Sequence, residues 1–173
     1  MAIKKNRIQF IQINVSYTEY LRRSVDDKIP VEHVAMASEM RPFIGILMTH
    51  NNIDCVIPLT SPKEKHRKMQ NAIDFHKLNG GKWGAINFNN MFPVLSNPPV
   101  YKIIKPLKDG NQYNDLLINQ ISWLNKVENK KMVLKKAQNL YDSYMNDTLS
   151  NRIKKRCCNL ERFYQIINRA FQN

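Results

Sequence analysis

The sequence predicts an α+β fold: a compact, strongly twisted antiparallel β-sheet or partial barrel, with flanking helices and a helical C-terminal half. Two observations carry this. Short apolar runs separated by Gly, Pro and Asn fill the chain as far as Val94, the pattern of strands joined by tight turns. From Asn111 to Met145 Pro and Gly are absent, and Leu117, Ile121, Leu124, then Leu134, Ala137 and Tyr141 recur at helical spacing. Strands first and helices later argue against a doubly wound sheet. At 173 residues, 1–173 is read as a single domain.

Arg7 to Asn14 reads as a first strand with Ile8 and Phe10 on one face and Ile11 and Ile13 on the other, partly buried on both sides. Ser16 and Glu19 have the S-x-x-E spacing of a capping box. They predict a helix carrying Tyr17, Tyr20 and Leu21 on one side and stopping near Asp26-Asp27, ahead of Pro30. Val31 to Met40 has no period and reads as a loop. Phe43–Met48 and Ile53–Leu59 flank His50-Asn51-Asn52, and Asn tolerates positive φ, so a hairpin is expected. Pro58 and Pro62 are expected to prevent regular pairing and set a stiff turn at the strand end. Phe75 and Leu78 mark a further short strand, Gly80-Gly81 punctuates, and Gly84 to Phe88 forms another strand leading to Met91–Val94. Asn111–Met145 is expected to be two helices, or one broken near Lys126–Lys131. After a break at Thr148–Asn151, Leu160–Phe171 is an amphipathic helix with Asn159 as its N-cap.

Composition narrows the partners. A hydrophobic fraction of 43% with only 5 Gly favours a folded globule. The formal net charge of +13, from 27 Lys+Arg against 14 Asp+Glu, repels itself in the compact state and points to a polyanion. Nucleic acid and an anionic membrane surface are the two ordinary candidates, with a merely soluble basic protein as the plain alternative. No run of the roughly eighteen apolar residues that a membrane span needs is present. The N-terminus is basic but interrupted by Gln9, Gln12 and Asn14, so no signal peptide is read there. An odd set of cysteines, Cys55, Cys157 and Cys158, fits reduced thiols in the cytoplasm better than a disulfide framework. No CxxC or HxxxH spacing suggests a metal site, and no cofactor is expected.

The sequence has no P-loop, dinucleotide fingerprint, HExxH or GxSxG pattern. Carboxylates able to converge on Mg²⁺ are scarce, which disfavours a two-metal nuclease. Metal-free RNA cleavage stays open, because RNA supplies its own 2′-OH nucleophile. Such an enzyme positions that hydroxyl in line, neutralises charge on the phosphorane and helps the 5′-oxygen leave. Lys, Arg, Ser, Thr and His can do all three, and they coincide in Thr60-Ser61-Pro62-Lys63 with His66. The same residues are also an ordinary turn followed by a solvated basic face, and spacing does not separate the two readings.

Arg41-Pro-Phe-Ile-Gly-Ile46, a hairpin into Ile57-Pro-Leu-Thr-Ser-Pro-Lys63, and His66 together resemble the ToxN/AbiQ (CptN-like) family of type III toxins. Tyr17-x-x-Tyr20-Leu21, Asp26-Asp27-Lys28-Ile29-Pro30, Ile86-Asn87-Phe88, Met91 and Pro93 agree in the same order. The resemblance covers roughly residues 8 to 95; the Pro58–Lys63 run is its most specific part, and the helical remainder fits in length and order. It implies a MazF/Kid- and CcdB-like fold and a metal-independent, sequence-specific endoribonuclease that leaves 2′,3′-cyclic phosphate and 5′-hydroxyl ends. Thr60, Ser61, Pro62 and Lys63 then correspond to the active-site turn. Arg41 stands where the compared family member has Lys, and suits phosphate clamping more than acid–base work. Tyr17 matches an aromatic position lining the RNA groove. The implied partners are cellular mRNA as substrate and a short pseudoknot antitoxin RNA, cut by the toxin from its own tandem-repeat transcript. Protein and antitoxin RNA alternate in a closed assembly, and the implied biological roles are phage abortive infection or plasmid and locus maintenance.

Residue roles follow as expectations. Lys63 stabilises the non-bridging oxygens, or donates a proton if Lys65, Arg67 and Lys68 depress its pKa. Thr60 and Ser61 hold the scissile phosphate, and His66 is the leading acid–base candidate because its ordinary pKa lies near neutrality. Lys65, Arg67, Lys68, Lys126, Lys130, Lys131, Lys135, Lys136, Arg152, Lys154, Lys155 and Arg156 could track RNA phosphates; singly, each is also an ordinary solvated helix residue. Tyr17, Tyr20 or Trp83 could stack on splayed bases, with burial the plainer expectation for Tyr20 and Trp83. A non-catalytic RNA- or DNA-binding protein is the rival reading, and a gyrase-poisoning toxin a weaker third, since it would need neither the Thr-Ser-Pro-Lys turn nor an RNA-sized basic surface.

Overall fold

A computed structural model describes residues 7–30, 43–50, 53–95 and 100–170, with backbone alone for 43–50, 53 and 167–170. The expected loop at Val31–Met40, Arg41 and the Asn51-Asn52 turn lie outside the described residues.

The first strand, β1 (Gln9–Ile13), leads into α1 (Val15–Ser24). The helix starts earlier than the capping-box spacing suggests. Asn14 is its N-cap and accepts from the Ser16 amide at 3.2 Å and the Ser16 hydroxyl at 2.9 Å. Ser16 is therefore already helical, and Glu19 sits near Arg23 at 3.9 Å instead of folding back. Leu21 is buried and Tyr17 half-buried, but Tyr20 is 51% exposed, so the expectation of a buried Tyr20 is corrected.

The hairpin forms as expected: β2 (Phe43–His50) pairs antiparallel with β3 (Ile53–Thr60), from Phe43 opposite Pro58 to His50 opposite Ile53. Pro58 does not end the ladder. It removes one donor, and the strand carries on because Leu59 and Thr60 pair with Ile86 and Ala85. Next come α2 (Glu64–Lys68), β4 (Phe75–Lys77), β5 (Ala85–Asn87), β6 (Phe92–Leu95) and β7 (Tyr101–Ile104). The chain ends in α3 (Gln112–Leu124), α4 (Val127–Met145), the short α5 (Asn151–Lys154) and α6 (Leu160–Ala170). The expected break near Lys126–Lys131 falls at Asn125-Lys126, and Asn159 caps α6 by accepting from the Arg162 amide at 2.9 Å. Sequence patterning did not anticipate β7 or α5.

All strand pairs are antiparallel, in the order β4-β5-β3-β2-β1-β7 with β6 branching from β3. Two sheets share β3: its first half, Ile53–Val56, pairs with β6, and its end, Leu59-Thr60, pairs with β5. Among the described residues the strands do not close into a barrel. Strands β1 and β3 are packed on both faces. Ile8, Phe10, Cys55, Ile57 and Leu59 pack with Leu117 and Leu124 of α3 and Val133, Ala137 and Leu140 of α4. Ile11, Ile13 and Val56 pack with Leu21 of α1 and Phe163 of α6. Cys55, Cys157 and Cys158 are separate buried thiols. No helix among the described residues is long and apolar enough to cross a membrane.

The helical half is fastened to the sheet by polar contacts. Asn125, at the end of α3, accepts from the Ile8 amide and donates to the Ile8 carbonyl, both at 3.0 Å. Arg156 meets the Asp74 carboxylate at 2.8 Å. From α4, Lys136 Nζ donates to the Ala72 carbonyl at 2.8 Å and stands 3.3 Å from His76 Nδ1. Burial first, then the charges of Lys136 and Lys77, hold the His76 imidazole down at about 4.

Two outcomes follow. Asn125→Ala strands both Ile8 backbone groups and is expected to cost about 1–3 kcal/mol in urea unfolding; a loss near zero would mean water replaces the amide. The unfolded chain takes up a proton at His76 near the ordinary 6.5, well above the folded value, so the contribution of neutral His76 is complete above that pH and is lost as pH falls toward about 4. The unfolding midpoint should therefore drop across this window, and His76→Gln should flatten the drop. An unaltered slope would assign it to other groups.

Candidate active site

The Thr60-Ser61-Pro62-Lys63 turn is the point where the most enclosed strand leaves the sheet. Thr60 is the last residue of β3, and its hydroxyl donates to the Ala85 carbonyl at 3.2 Å, which fixes its rotamer against β5. Ser61, Pro62 and Lys63 are exposed. Pro62 cannot extend the ladder, and Lys63 remains extended (φ −137°, ψ 147°) as the N-cap position of α2. Its carbonyl accepts from the His66 amide at 2.9 Å, closing the first turn. Exposed Ser61 and Lys63 thus follow directly on a Thr60 whose hydroxyl is engaged with β5.

His66 departs from its expected place. It is 3% exposed, with its ring centroid 5.9 Å from that of Phe75 and Nδ1 buried without a hydrogen-bond partner. Burial, then the charges of Lys65 and Lys63, hold its imidazole below the ordinary histidine value. A neutral ring packed in the interior suits a structural part better than proton transfer at the rim, which corrects the expectation drawn from its typical pKa. The helical turn of α2 explains the placement: three residues beyond Lys63, the side chain points back across the helix toward β4.

The other α2 cations remain outside. Lys65 and Arg67 are exposed and have no ion pair among the described residues. Lys68 pairs with Glu64 at 3.0 Å, both side chains being more than three-quarters exposed, a contact that adds little stability. Lys77 Nζ donates to the Arg67 carbonyl at 3.3 Å and so extends the basic surface from α2 to β4.

The remaining candidates separate by environment. Lys131 and Lys135 are exposed on α4, and Lys130 is half-buried there. Arg152 and Lys155 are exposed. Lys154 is engaged within the protein, bonded to Asp147 at 2.7 Å and Glu161 at 3.3 Å and lying 5.1 Å from the Tyr144 ring centre. Arg156 is likewise tied to Asp74. Both of these expected phosphate contacts thus already hold a carboxylate partner within the protein. Tyr17 packs on the second core and its hydroxyl donates toward the Pro93 carbonyl at 3.4 Å, while Tyr20 is open to a partner. Trp83 packs partly buried on the main core. Arg41 lies outside the described residues.

Two residues of the loop that backs the turn, or bonded to it, escaped the sequence reading. Gln120 is 2% exposed and its amide donates to the Trp83 carbonyl at 2.6 Å. Its signal was present, since it stands three residues after Leu117 and four before Leu124, inside the apolar stripe. Gly84 lies against the Thr60 backbone, a contact that a reading as the start of a strand does not contain. Among the described residues, no three His, Cys, Asp or Glu side chains lie close enough to hold a metal ion.

A family model described as toxin ToxN of type III toxin–antitoxin systems matches residues 9–168. The endoribonuclease ToxN of Bacillus thuringiensis subsp. kurstaki is 29% identical over 138 residues, 79% of this chain and 69% of that protein. Its counterpart from Pectobacterium atrosepticum is 32% identical over 94 residues, 51% of this chain and 54% of that protein. A solved structure from work on selective toxin inhibition by a non-coding RNA pseudoknot superposes with a TM-score of 0.75 at 26% identity, over 96% of this chain and 99% of that one. A second, concerned with a processed non-coding RNA that regulates a bacterial antiviral system, shares the fold with a TM-score of 0.72 at 22% identity, over 88% and 93% of the two chains. With the family model matched from the first strand to the last helix, this chain belongs to the ToxN family of type III toxin–antitoxin toxins.

Proposed function

We propose that this protein is an endoribonuclease toxin that cleaves RNA at the Thr60–Lys63 turn and is restrained by a small structured RNA. The observation that carries the reading is the exposed Lys63 beside Ser61 and the anchored Thr60, at the rim of the shared strand. RNA brings its own nucleophile, so the protein has to place the 2′-OH in line and stabilise the phosphorane. Lys63 faces the non-bridging oxygens, Ser61 orients the phosphate, Thr60 fixes the turn through its bond to Ala85, and Arg41 adds a second cation. The reaction yields a 2′,3′-cyclic phosphate and a 5′-hydroxyl without a metal ion. His66 acts through packing beneath α2, not through proton transfer.

The relatives named as endoribonucleases support the activity, and the solved toxin inhibited by an RNA pseudoknot supports an RNA antitoxin as partner. Lys65, Arg67, Lys131, Lys135, Arg152 and Lys155, all exposed, offer the phosphate contacts, with Tyr20 available for stacking. The toxin cuts its own repetitive antitoxin precursor as well as cellular mRNA, and alternates with the product RNA in a closed assembly. A role in phage abortive infection, or in maintenance of its own locus, fits such a pair. The MazF-like sheet belongs to the same proposal.

Purified protein in EDTA should cleave an unstructured RNA to cyclic-phosphate ends. Lys63→Ala should lower that rate by about 10²-fold or more, as loss of one transition-state donor does, with RNA affinity changed only a few-fold. Tight RNA binding without cleavage by either protein would leave a binding module instead.

A further inference from the structure

The turn that carries Thr60, Ser61 and Lys63 is backed by a second loop, Leu78–Gly84. Gly80, Gly81 and Gly84 in this loop all have positive φ, at 63°, 92° and 92°. Their surroundings differ. A methyl group at Gly80 would meet nothing within 4 Å. At Gly81 it would stand 2.9 Å from the Arg67 nitrogen and from the His66 carbonyl carbon; at Gly84, 2.0 Å from the Thr60 oxygen and 3.1 Å from the Ser61 carbonyl carbon. These neighbours are backbone atoms, so they cannot swing aside as a side chain would. Gly84 bears on the end of β3, where the turn begins, and Gly81 on the His66–Arg67 peptide within α2, the helix into which the turn runs.

The loop is itself held. Leu78 and Gly84 are joined by a 2.9 Å backbone bond, and the Gly81 amide donates to Leu78 at 2.9 Å. From the core, the Gln120 amide donates to the Trp83 carbonyl, one peptide before Gly84. The Gln120 side-chain oxygen has no partner although it is buried. The polar contact that Gln120 makes within the described core is therefore its donation to Trp83.

We propose that the Leu78–Gly84 loop sets the position of the Thr60–Lys63 turn against the scissile phosphate, with Gly84 as its contact on the turn, Gly81 as its contact on the helix that follows, and Gln120 as a remote positioning residue. This rests on the reading of the turn as the reacting centre. None of the three touches RNA. Each acts through the backbone of the segment that does, and the register it holds governs the transition state more than the docking of the substrate. A displacement of about 1 Å suffices to lower a rate by about 10²-fold.

The test compares kcat, KM and RNA affinity for Gly84→Ala, Gly81→Ala, Gly80→Ala, Gln120→Met and Lys63→Ala, each well below its own unfolding midpoint. Gly80→Ala controls for positive φ without contact. Methionine keeps about the length and volume of Gln120 while removing the donor to Trp83 together with the unpartnered amide oxygen, so it decides the matter if the alanine variants fail to fold. Expected are kcat losses of about 30- to 100-fold for Gly84→Ala and Gly81→Ala and about 10-fold for Gln120→Met, with KM and affinity within about 3-fold. Gly80→Ala should stay near wild type. Wild-type kcat in folded Gly84→Ala or Gln120→Met, or losses in KM and affinity that match those in kcat, would overturn the positioning role while Lys63→Ala still abolishes cleavage. Undiminished cleavage by Lys63→Ala would instead remove the turn as the reacting centre, and the proposal with it.

Discussion

Strand β3 is the constraint on which the rest of the structure depends. It is hydrogen-bonded along both edges, to β2 on one side and to β6 and then β5 on the other, and its residues are buried on both faces, Cys55, Ile57 and Leu59 toward one cluster and Val56 toward the other. A one-residue slip would exchange these faces and break three pairings at once. The strand therefore has one register, and the Thr60–Lys63 turn inherits its place from it. Exposed polar groups at the end of a strand clamped in this way are held in one position without being buried themselves.

Charge is distributed to the same end. The protein has few carboxylates, 14 against 27 Lys and Arg, and several of them stand at structural joints. Asp74 holds Arg156, Asp147 and Glu161 hold Lys154, and Asp26 meets Lys28 at 3.0 Å and accepts from the Asn159 amide at 2.9 Å. Those contacts fasten the helical half to the sheet or to itself. Lys63, Lys65 and Arg67 are exposed and stay without an ion pair among the described residues, so the turn and the helix after it present positive charge that no carboxylate neutralises. A polyanion is drawn toward that rim before any specific contact forms.

Local rules describe much of the chain, and their failures share one cause. The β2–β3 hairpin, the Asn125-Lys126 break and the Asn159 cap were legible because period, turn chemistry and capping act over a few neighbouring residues. The S-x-x-E spacing misled because Asn14 reached the Ser16 amide first, a competition between two caps that the spacing alone does not rank. Strand β7 has only four residues and exists through its pairing with β1, so nothing in its own composition announces it. His66 was assigned chemistry from its ordinary pKa, yet its environment is made by Phe75 and by the α2 backbone.

The sequence by itself determined the α+β class, the basic character of the partner surface and the turn that carries Thr60, Ser61 and Lys63, since composition, periodicity and a contiguous motif survive without coordinates. Tertiary structure alone decided that His66 turns inward, that Lys154 and Arg156 are occupied by carboxylates, and that Gln120 and Gly84 stand behind the turn. Gln120 meets Trp83 across 37 positions of the chain, and Gly84 meets Thr60 from a different strand connection. Close approaches of that kind depend on how two separate elements pack, and no spacing within either element records them.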